Sequence, residues 1–324
     1  MAPKFHAKTQ SFAKTQQRRL CGTLRLCTKQ LLVGLAVVCT IAVIARSREA
    51  PVRVALIGFT SSSSDKSSEL AVRAEKLLNS SLGADSRVAL VDRSIVLPAL
   101  KGLGYDGSIN MSRDEARKLG SAIGCDFFVT GKLEAFTRSE RAAVEHEEAL
   151  IGVMIVDART GVLAVFDFAG EKAATREAAI DALVKTLSAR VAGYLDRVSR
   201  FQLARAQLIS SGSEKLAMES IEDIPDEGSP LAAGFKAPEF LNRVKPDYTD
   251  SAERADVTAI VEATAVFRAN GEVGEIQIVR WAGFGLDESA ERAIRQLNFK
   301  AATRGGKPVS VRAIVRYNFR RLAQ

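Results

Sequence analysis

The clearest pattern along the chain is an alternation of apolar and polar side chains near the C-terminus. A period of two residues is typical of a β-strand with one face on a core and the other in water. The apolar set is Val309, Val311, Ala313, Val315, Tyr317 and Phe319, and the other set is Ser310, Arg312, Ile314, Arg316, Asn318 and Arg320. The pattern therefore predicts a half-buried antiparallel strand.

Shorter patterns predict the elements that precede this strand. In order, they are a short helix at 251–254, strands at 257–268 and 273–280, and an amphipathic helix that begins near Asp287. Asn270-Gly271 joins the two strands and predicts a type I′ hairpin turn, in which both central residues need positive φ. The segment 238–324 is thus expected to fold as α-β-β-α-β around an antiparallel three-stranded sheet.

Residues 50–198 carry a different pattern, in which strands and helices alternate before a run of longer strands. The predicted strands are 52–59, 87–92, 126–137, 143–157 and 162–171, and the predicted helices follow Asp65, cover Ser112–Ile123 and run from Thr175 to Arg197. Asp157–Gly161 supplies a hairpin turn between the last two strands. This order predicts an α/β domain built around a mixed sheet.

Residues 199–237 separate the two patterns. They contain Ser210-Ser211-Gly212, several glycines and prolines, and an acidic cluster of Glu219, Glu222, Asp223, Asp226 and Glu227. Polar segments rich in glycine and proline are typical of flexible, solvated linkers. We therefore expect a flexible acidic linker between two folded domains.

The N-terminus combines a basic arm with an apolar run. Residues 1–30 contain seven basic residues and no acidic one, and residues 31–45 contain no charged residue. A transmembrane helix takes about 20 residues, and Lys29 and Arg46 can extend the run by reaching outward. We expect a single-pass helix at 31–46 in the inner membrane, with the arm cytoplasmic and residues 47–324 periplasmic. A cleaved secretory signal is the alternative, and it exports the same residues.

The basic arm decides how the net charge of +8 is interpreted. Outside residues 1–30 the chain has 39 basic and 38 acidic residues, so it lacks the broad basic surface that nucleic-acid binding needs. His6 and His146 are the only histidines and the four cysteines form no CxxC pair, which argues against a metal site. No paired catalytic carboxylates or phosphate loop can be recognised, so we expect neither a cofactor nor an enzyme.

Several spaced residues in segment 238–324 resemble the TonB C-terminal domain family. The matching positions are Pro246-x-Tyr248, Phe267-x-x-Asn270-Gly271-x-Val273, Leu286-Asp287-x-x-Ala290, Phe299-x-Ala301 and Gly306-x-Pro308-Val309. The segment departs from the family at Thr249, where proline is usual. The resemblance implies that the last strand captures an extended segment of an outer-membrane receptor by strand addition.

The same resemblance implies a set of partner-binding residues in the last strand and at the start of the segment. They are Val309, Val311, Arg312, Ala313, Val315, Arg316, Tyr317, Phe319 and Tyr248. Arg312 and Arg316 are expected to meet acidic side chains of the partner.

The middle segment carries a second resemblance. Val91–Ser94, Ala116…Leu119-Gly120, Gly124–Asp126, Gly131–Leu133 and Val156–Gly161 resemble signatures of the CsgG-like curli secretion-channel family and of the related TolB N-terminal domain. This implies a periplasmic α/β domain. Channel-forming relatives have a lipidated cysteine, whereas Val38 precedes Cys39 here and departs from a lipobox.

Together the resemblances imply an envelope transducer or tether that binds an outer-membrane receptor or another envelope protein. Energy transduction would add proton-channel motor proteins as partners, but residues 31–45 lack the ionisable residue through which such motors act. The alternative is a structural assembly protein, in which the CsgG-like domain forms homo-oligomers and the TonB-like domain docks partners.

Overall fold

A mixed sheet forms the first part of the fold, as the strand pattern predicts. The computed structural model describes residues 51–61, 65–138, 146–210, 221–226 and 228–321. The strands of this sheet are β1 (Val52–Thr60), β2 (Val88–Leu90), β3 (Phe127–Arg138), β4 (His146–Asp157) and β5 (Leu163–Ala173), in the order β2-β1-β3-β4-β5. β1 runs parallel to its two neighbours β2 and β3, whereas β4 runs antiparallel to its two neighbours β3 and β5.

The helices of this first part are α1 (Asp65–Gly83), α2 (Arg93–Gly102), α3 (Arg113–Ile123) and α4 (Arg176–Ser210). α3 forms where the sequence predicts it, and a capping box fixes its start: the side chains of Ser112 and Glu115 each accept a hydrogen bond from the other residue's backbone amide. The sequence analysis misses α2, because Pro98 lies inside that helix and proline disfavours a helix interior. Asp92 caps α2 by accepting a hydrogen bond from the amide of Ser94.

Both faces of the mixed sheet are buried. In β4, for example, Ile151 and Val153 pack with α1 and α4, whereas Met154 and Val156 belong to a core on the opposite face. α2, α3 and the C-terminal part of the chain cover that second face. A sheet buried on both faces produces near-continuous apolar runs, which explains the sequence of β4.

In the described residues, the rest of the chain contains two α-helices, eight strands and one short 3-10 helix at Pro230–Ala232. The α-helices and strands are β6 (Ile221–Asp223), β7 (Phe235–Lys236), β8 (Glu239–Phe240), α5 (Asp250–Arg254), β9 (Ala259–Phe267), β10 (Val273–Arg280), α6 (Leu286–Arg295), β11 (Phe299–Lys300), β12 (Ala302–Arg304) and β13 (Lys307–Phe319). The long strands β10, β9 and β13 are antiparallel neighbours, which confirms the predicted α-β-β-α-β order of the longer elements, but their sheet has six strands where three were predicted. The sheet continues in the order β10-β9-β13-β12-β7, with β6 also paired to β13.

The predicted flexible linker at 199–237 is corrected by these short strands. α4 continues to Ser210, β6 pairs with β13, and β7 pairs with β12. The polar composition predicted a solvated coil. The strands that pair with this segment, β12 and β13, lie about 70 to 90 residues further along the chain, so the local sequence gives no sign of them. Residues 211–220 lie outside the described residues.

The hairpin between β9 and β10 forms where it was predicted, but the predicted type I′ turn is wrong. Gly271 has φ of +87°, whereas Asn270 is not among the residues with positive φ. The Gly271 amide donates to the Arg268 carbonyl, and the Arg268 amide donates to the Glu272 carbonyl. This pattern is typical of a three-residue loop with a glycine bulge.

The loop Trp281–Gly285 packs the C-terminal part onto the second face of the mixed sheet. Phe284 is fully buried, and its ring centre lies 5.0 Å from that of Phe166 and 5.8 Å from that of Phe168. Gly152 of β4 leaves room for this ring, because a Cβ atom there would lie 2.5 Å from Phe284 Cζ. The two parts therefore share a core.

Polar contacts tie the same two parts together. The Trp281 indole N–H donates to the Gly161 carbonyl at 3.2 Å. Lys132 donates to the Ala255 carbonyl at 2.7 Å, at the end of α5. Arg254 of α5 lies 2.6 Å from the carboxylate of Glu148, which is buried in β4. Val52–Gln324 accordingly forms one compact unit.

Asp287, at the start of α6, fixes the loop Trp281–Gly285 by hydrogen bonds to its backbone. Its carboxylate accepts hydrogen bonds from the amides of Ala282 at 2.9 Å and Gly283 at 2.8 Å. Burial raises the pKa of Asp287 to about 7, although these two amide donors lower it. The carboxyl group is therefore expected to titrate near neutral pH.

The predicted membrane segment at 31–46 and the basic arm at 1–30 lie outside the described residues. Within the described residues, no helix combines the length and apolar character that crossing a membrane requires.

Replacing Phe284 by alanine is expected to destabilise the whole unit, because the ring joins its two parts. Phe→Ala in a core typically costs about 3–5 kcal/mol. Urea unfolding followed by far-UV circular dichroism and by fluorescence of Trp281, the only tryptophan, should show one transition that shifts for both probes. Phe240→Ala is the control, since Phe240 is 44% exposed. A shift in the fluorescence transition alone would show that the two parts unfold independently.

Replacing Asp287 by asparagine is expected to change how stability depends on pH. The folded-state pKa of about 7 lies above the usual 3.8, so the folded chain binds this proton more tightly than the unfolded chain. The resulting stabilisation is complete at low pH and is lost as pH rises through about 7. The measurement is the difference in free energy of unfolding between the unmodified chain and Asp287→Asn, which should fall with rising pH. Glu275→Gln, at an exposed residue of β10, is the control, and a pH-independent difference for Asp287→Asn would contradict the expectation.

Candidate partner-binding edge

β13 has a continuous neighbour on one side only. β9 pairs with it antiparallel from Val311 to Phe319, and β6 pairs with Ser310–Arg312 in parallel. β6 and β9 lie on opposite sides, because both pair with Val311 and Arg312. Among the described strands, none pairs with Ala313–Phe319 on the side away from β9. We call this stretch the open edge.

The apolar side chains predicted to bind a partner lie inside the fold. Val309, Val311, Ala313, Val315, Tyr317 and Phe319 pack with the two cores that the C-terminal part contributes to. Val311 is completely buried. These residues can therefore pair with an added strand through their backbone groups, whereas their side chains pack into the core and anchor β13.

Tyr248, the remaining apolar member of the predicted set, fixes the start of the TonB-like segment. Its hydroxyl donates to the Val257 carbonyl at 2.7 Å and lies 3.2 Å from the Ala252 carbonyl. Burial raises the pKa of this hydroxyl. The side chain thereby holds α5 against the beginning of β9. The unusual Thr249 caps α5 by accepting from the Ala252 amide.

The predicted arginines lie on the exposed face of β13, where both have acidic partners in the chain itself. Arg316 donates to Glu262 of β9 at 2.6 Å, and Arg312 lies 3.6 Å from Asp223 of β6. Between them Ile314 is 69% exposed. Ile314 was not among the residues predicted to bind a partner, although an isoleucine on the polar face of the alternation indicates an exposed apolar contact.

Arg304 of β12 adds side-chain contacts to the backbone pairing between β6 and β13. The Arg304 Nε donates to Glu222 at 2.7 Å, and its Nη1 donates to the Leu231 carbonyl at 2.8 Å. Its guanidinium carbon also lies over the ring of Phe235, 5.2 Å from the ring centre. Arg304 thus connects β6 with the segment that leads to β7.

The open edge leads to a cavity at the end of β13. The cavity has a volume of about 610 Å³ and lies between the extended segment 243–248 and residues 317–321. Its basic side chains are Arg243, Lys245, Arg320 and Arg321, and Glu253 is its acidic side chain. None of the four basic side chains forms an ion pair within the described part of the chain. We call this site the basic cavity.

No other chemistry stands out in the part of the chain that the structure describes. No group of three or more His, Cys, Asp or Glu side chains is placed there to hold a metal ion. Cys125 is half-buried, and burial raises the pKa of its thiol to about 12. A thiol with such a pKa is not the reactive thiolate form at neutral pH.

Residues 244–320 match the family model of the Gram-negative bacterial TonB protein C-terminal domain. This segment is a TonB-like C-terminal domain. The match confirms the resemblance drawn from Pro246-x-Tyr248 and the motifs that follow it, and it supports an envelope protein. No curated protein matches the chain.

Solved structures show partial likeness to the chain. The Pseudomonas aeruginosa TonB C-terminal domain is 18% identical, with 32% of this chain and 98% of that chain covered and a TM-score of 0.25. The LpoB C-terminal domain from Salmonella enterica is 14% identical, with coverage of 39% and 85% and a TM-score of 0.27. The hypothetical protein CT253 from Chlamydia trachomatis is 15% identical, with coverage of 45% and 98% and a TM-score of 0.34. The CsgG-like fold of residues 50–198 stays a prediction.

Replacing Arg304 by alanine is expected to loosen β6, because the change removes both the ion pair to Glu222 and the hydrogen bond to Leu231. Hydrogen bonds to charged groups contribute roughly 1.5–3 kcal/mol, so amide exchange of Ile221–Asp223 should accelerate by about tenfold or more. Hydrogen-exchange mass spectrometry measures this rate. Lys300→Ala is the control, because its 3.0 Å pair with Glu239 is exposed and lies away from β6. Unchanged exchange in β6 would mean that Arg304 does not anchor it.

Proposed function

We propose that the chain is a cell-envelope protein that binds a partner by β-strand addition to the open edge of β13. The observation that carries the proposal is the stretch Ala313–Phe319, which has β9 on one side and no described strand on the other. Unpaired backbone N–H and C=O groups of an edge strand can accept another extended chain. The role is binding, without catalysis.

Backbone pairing and one apolar contact supply the binding energy in this proposal. A backbone hydrogen bond contributes about 0.5–1.5 kcal/mol net, so several along the open edge are needed for measurable affinity. Ile314 is 69% exposed beside that edge, and burying a side chain of this type contributes roughly 1.5–3 kcal/mol. An added strand with an apolar residue next to Ile314 is therefore favoured.

The TonB-like domain favours an outer-membrane receptor or another envelope protein as the partner. In the topology predicted from the sequence, residues 47–324 are periplasmic and the helix at 31–46 holds the chain in the inner membrane. Energy transduction is a separate prediction, because residues 31–45 contain no Asp, Glu, His, Lys or Arg side chain on which a proton-driven motor could act. The proposal is therefore one of capture and tethering.

The mixed sheet gives the captured partner a defined position. Phe284, Trp281 and Arg254 fix the TonB-like domain against β4 and β5. Because these contacts join the two parts in one core, the open edge keeps one orientation relative to the mixed sheet. A partner held on β13 is then held at a set place relative to residues 52–210.

Photo-crosslinking in cells tests the proposal. A crosslinking amino acid at Ile314 or Asn318, both exposed beside the open edge, should capture an envelope β-barrel protein, identified by mass spectrometry. The same amino acid at Glu275, which is exposed on β10 at the far side of the sheet, should not capture it.

Two results would contradict the proposal. Equal capture from Ile314 and Glu275 would show that the edge is not the binding surface. Capture of further copies of this chain alone, with no envelope partner, would favour the assembly alternative.

A further inference from the structure

The open edge continues from a site that the chain itself occupies. β6 pairs with Ser310, Val311 and Arg312 on the side of β13 away from β9. It runs parallel to β13, so a longer strand in the same place and direction would continue along Ala313–Phe319 and end at the basic cavity. β6 therefore occupies the beginning of the surface on which a partner would pair.

Acidic side chains hold β6 in place. Glu222 lies 2.7 Å from Arg304, and Asp223 lies 3.6 Å from Arg312. The Asp223 side chain is 81% exposed, and exposed ion pairs of this kind contribute little stability. The two ion pairs favour acidic residues next to β13, but they hold Ile221–Asp223 weakly enough for a partner strand to displace it.

Proline explains why β6 does not extend further. In the register that places Asp223 opposite Arg312, Pro225 falls opposite Ile314. Proline has no amide N–H to donate and is rare inside paired strands. The chain's own segment thus leaves the open edge available, whereas a partner without this proline could pair along all of it.

The basic cavity favours a partner that is acidic beyond the length of β6. Arg243, Lys245, Arg320 and Arg321 surround the point where such a strand would end, and none of them has an ion-pair partner among the described residues. An acidic segment would pair with these cations as well as with Arg304 and Arg312. The chain's own β6 cannot reach them.

Resting on the function proposed above, we propose that the edge of β13 takes an extended acidic peptide running parallel to β13, and that Ile221–Asp223 competes with it from within the chain. The partner displaces β6, pairs from Ser310 to Phe319, and places acidic side chains in the basic cavity. Because β6 is tethered, its effective concentration is on the order of mM, so a free partner must pair more extensively to win.

A labelled synthetic peptide tests this competition by fluorescence anisotropy with the full-length chain. The peptide carries the sequence of residues 219–227 with Pro225→Val, followed by Val-Asp-Glu, so that it can pair beyond Arg312. Glu222→Lys with Asp223→Lys in the chain places positive charge beside Arg304 and Arg312 and should release β6. We expect this variant to bind the peptide about tenfold more tightly than the unmodified chain, because the tethered competitor is gone.

Matched variants separate competition from general charge effects. Glu239→Lys disrupts an exposed ion pair with Lys300 away from the edge and should leave the affinity unchanged. Arg320→Glu with Arg321→Glu should weaken binding in the released variant if the basic cavity takes the acidic end. The unaltered peptide, which keeps Pro225, should bind less tightly than the valine peptide.

The outcomes distinguish this inference from the proposed function. Equal peptide affinity for the unmodified chain and the released variant would overturn the competition, and absence of binding to both would overturn acidic recognition. Binding of the chain to vesicles of anionic lipid in place of the peptide would also overturn the inference. Strand addition itself is judged separately, by capture of an envelope protein from Ile314.

Discussion

The burial of Phe284 over Gly152 is the contact on which the arrangement of the molecule depends. The phenyl ring lies between Phe166 and Phe168 of β5 and fills space that any side chain on Gly152 would take. Phe284 has φ of +54°, between Gly283 at +71° and Gly285 at +73°, so the loop adopts a conformation that bulky residues rarely reach. Such backbone strain costs about 1–3 kcal/mol and persists only where surrounding packing offsets it.

The edges of the TonB-like sheet follow from this arrangement. Edge strands with unpaired backbone groups invite association with other chains, and folded proteins commonly cover them. Here β6 covers the first part of one side of β13, and Arg304 secures it together with the segment before β7. The uncovered remainder lies beside exposed Ile314 and a cavity with four basic side chains. Partial coverage gives both protection and access.

Local patterns allowed the elements to be predicted, whereas contacts between distant residues did not appear in the sequence. Alternation predicted β13, and the amphipathic pattern of Ser112–Ile123 predicted α3, because both signals act within a few residues. Pro98 concealed α2, and the Asn270-Gly271 pair located a hairpin without determining its turn type. The polar composition around Asp223 indicated solvent, because nothing nearby in the sequence shows that Arg304 and Arg312 pair with this segment. The binding strand β13 was thus predictable from the sequence, but its pairing with β6 was not.

The fit between Phe284 and Gly152 limits how freely the C-terminal module can be exchanged between proteins. A TonB-like domain taken from another chain would carry its own loop in place of Trp281–Gly285, and the hollow over β4 would then be left empty or overfilled. The aromatic pair Phe166 and Phe168 would also lose the ring they enclose. Recombination that joins parts from unrelated proteins at residue 237 would therefore produce a poorly packed core between them. The residues that form this core are expected to change together during evolution.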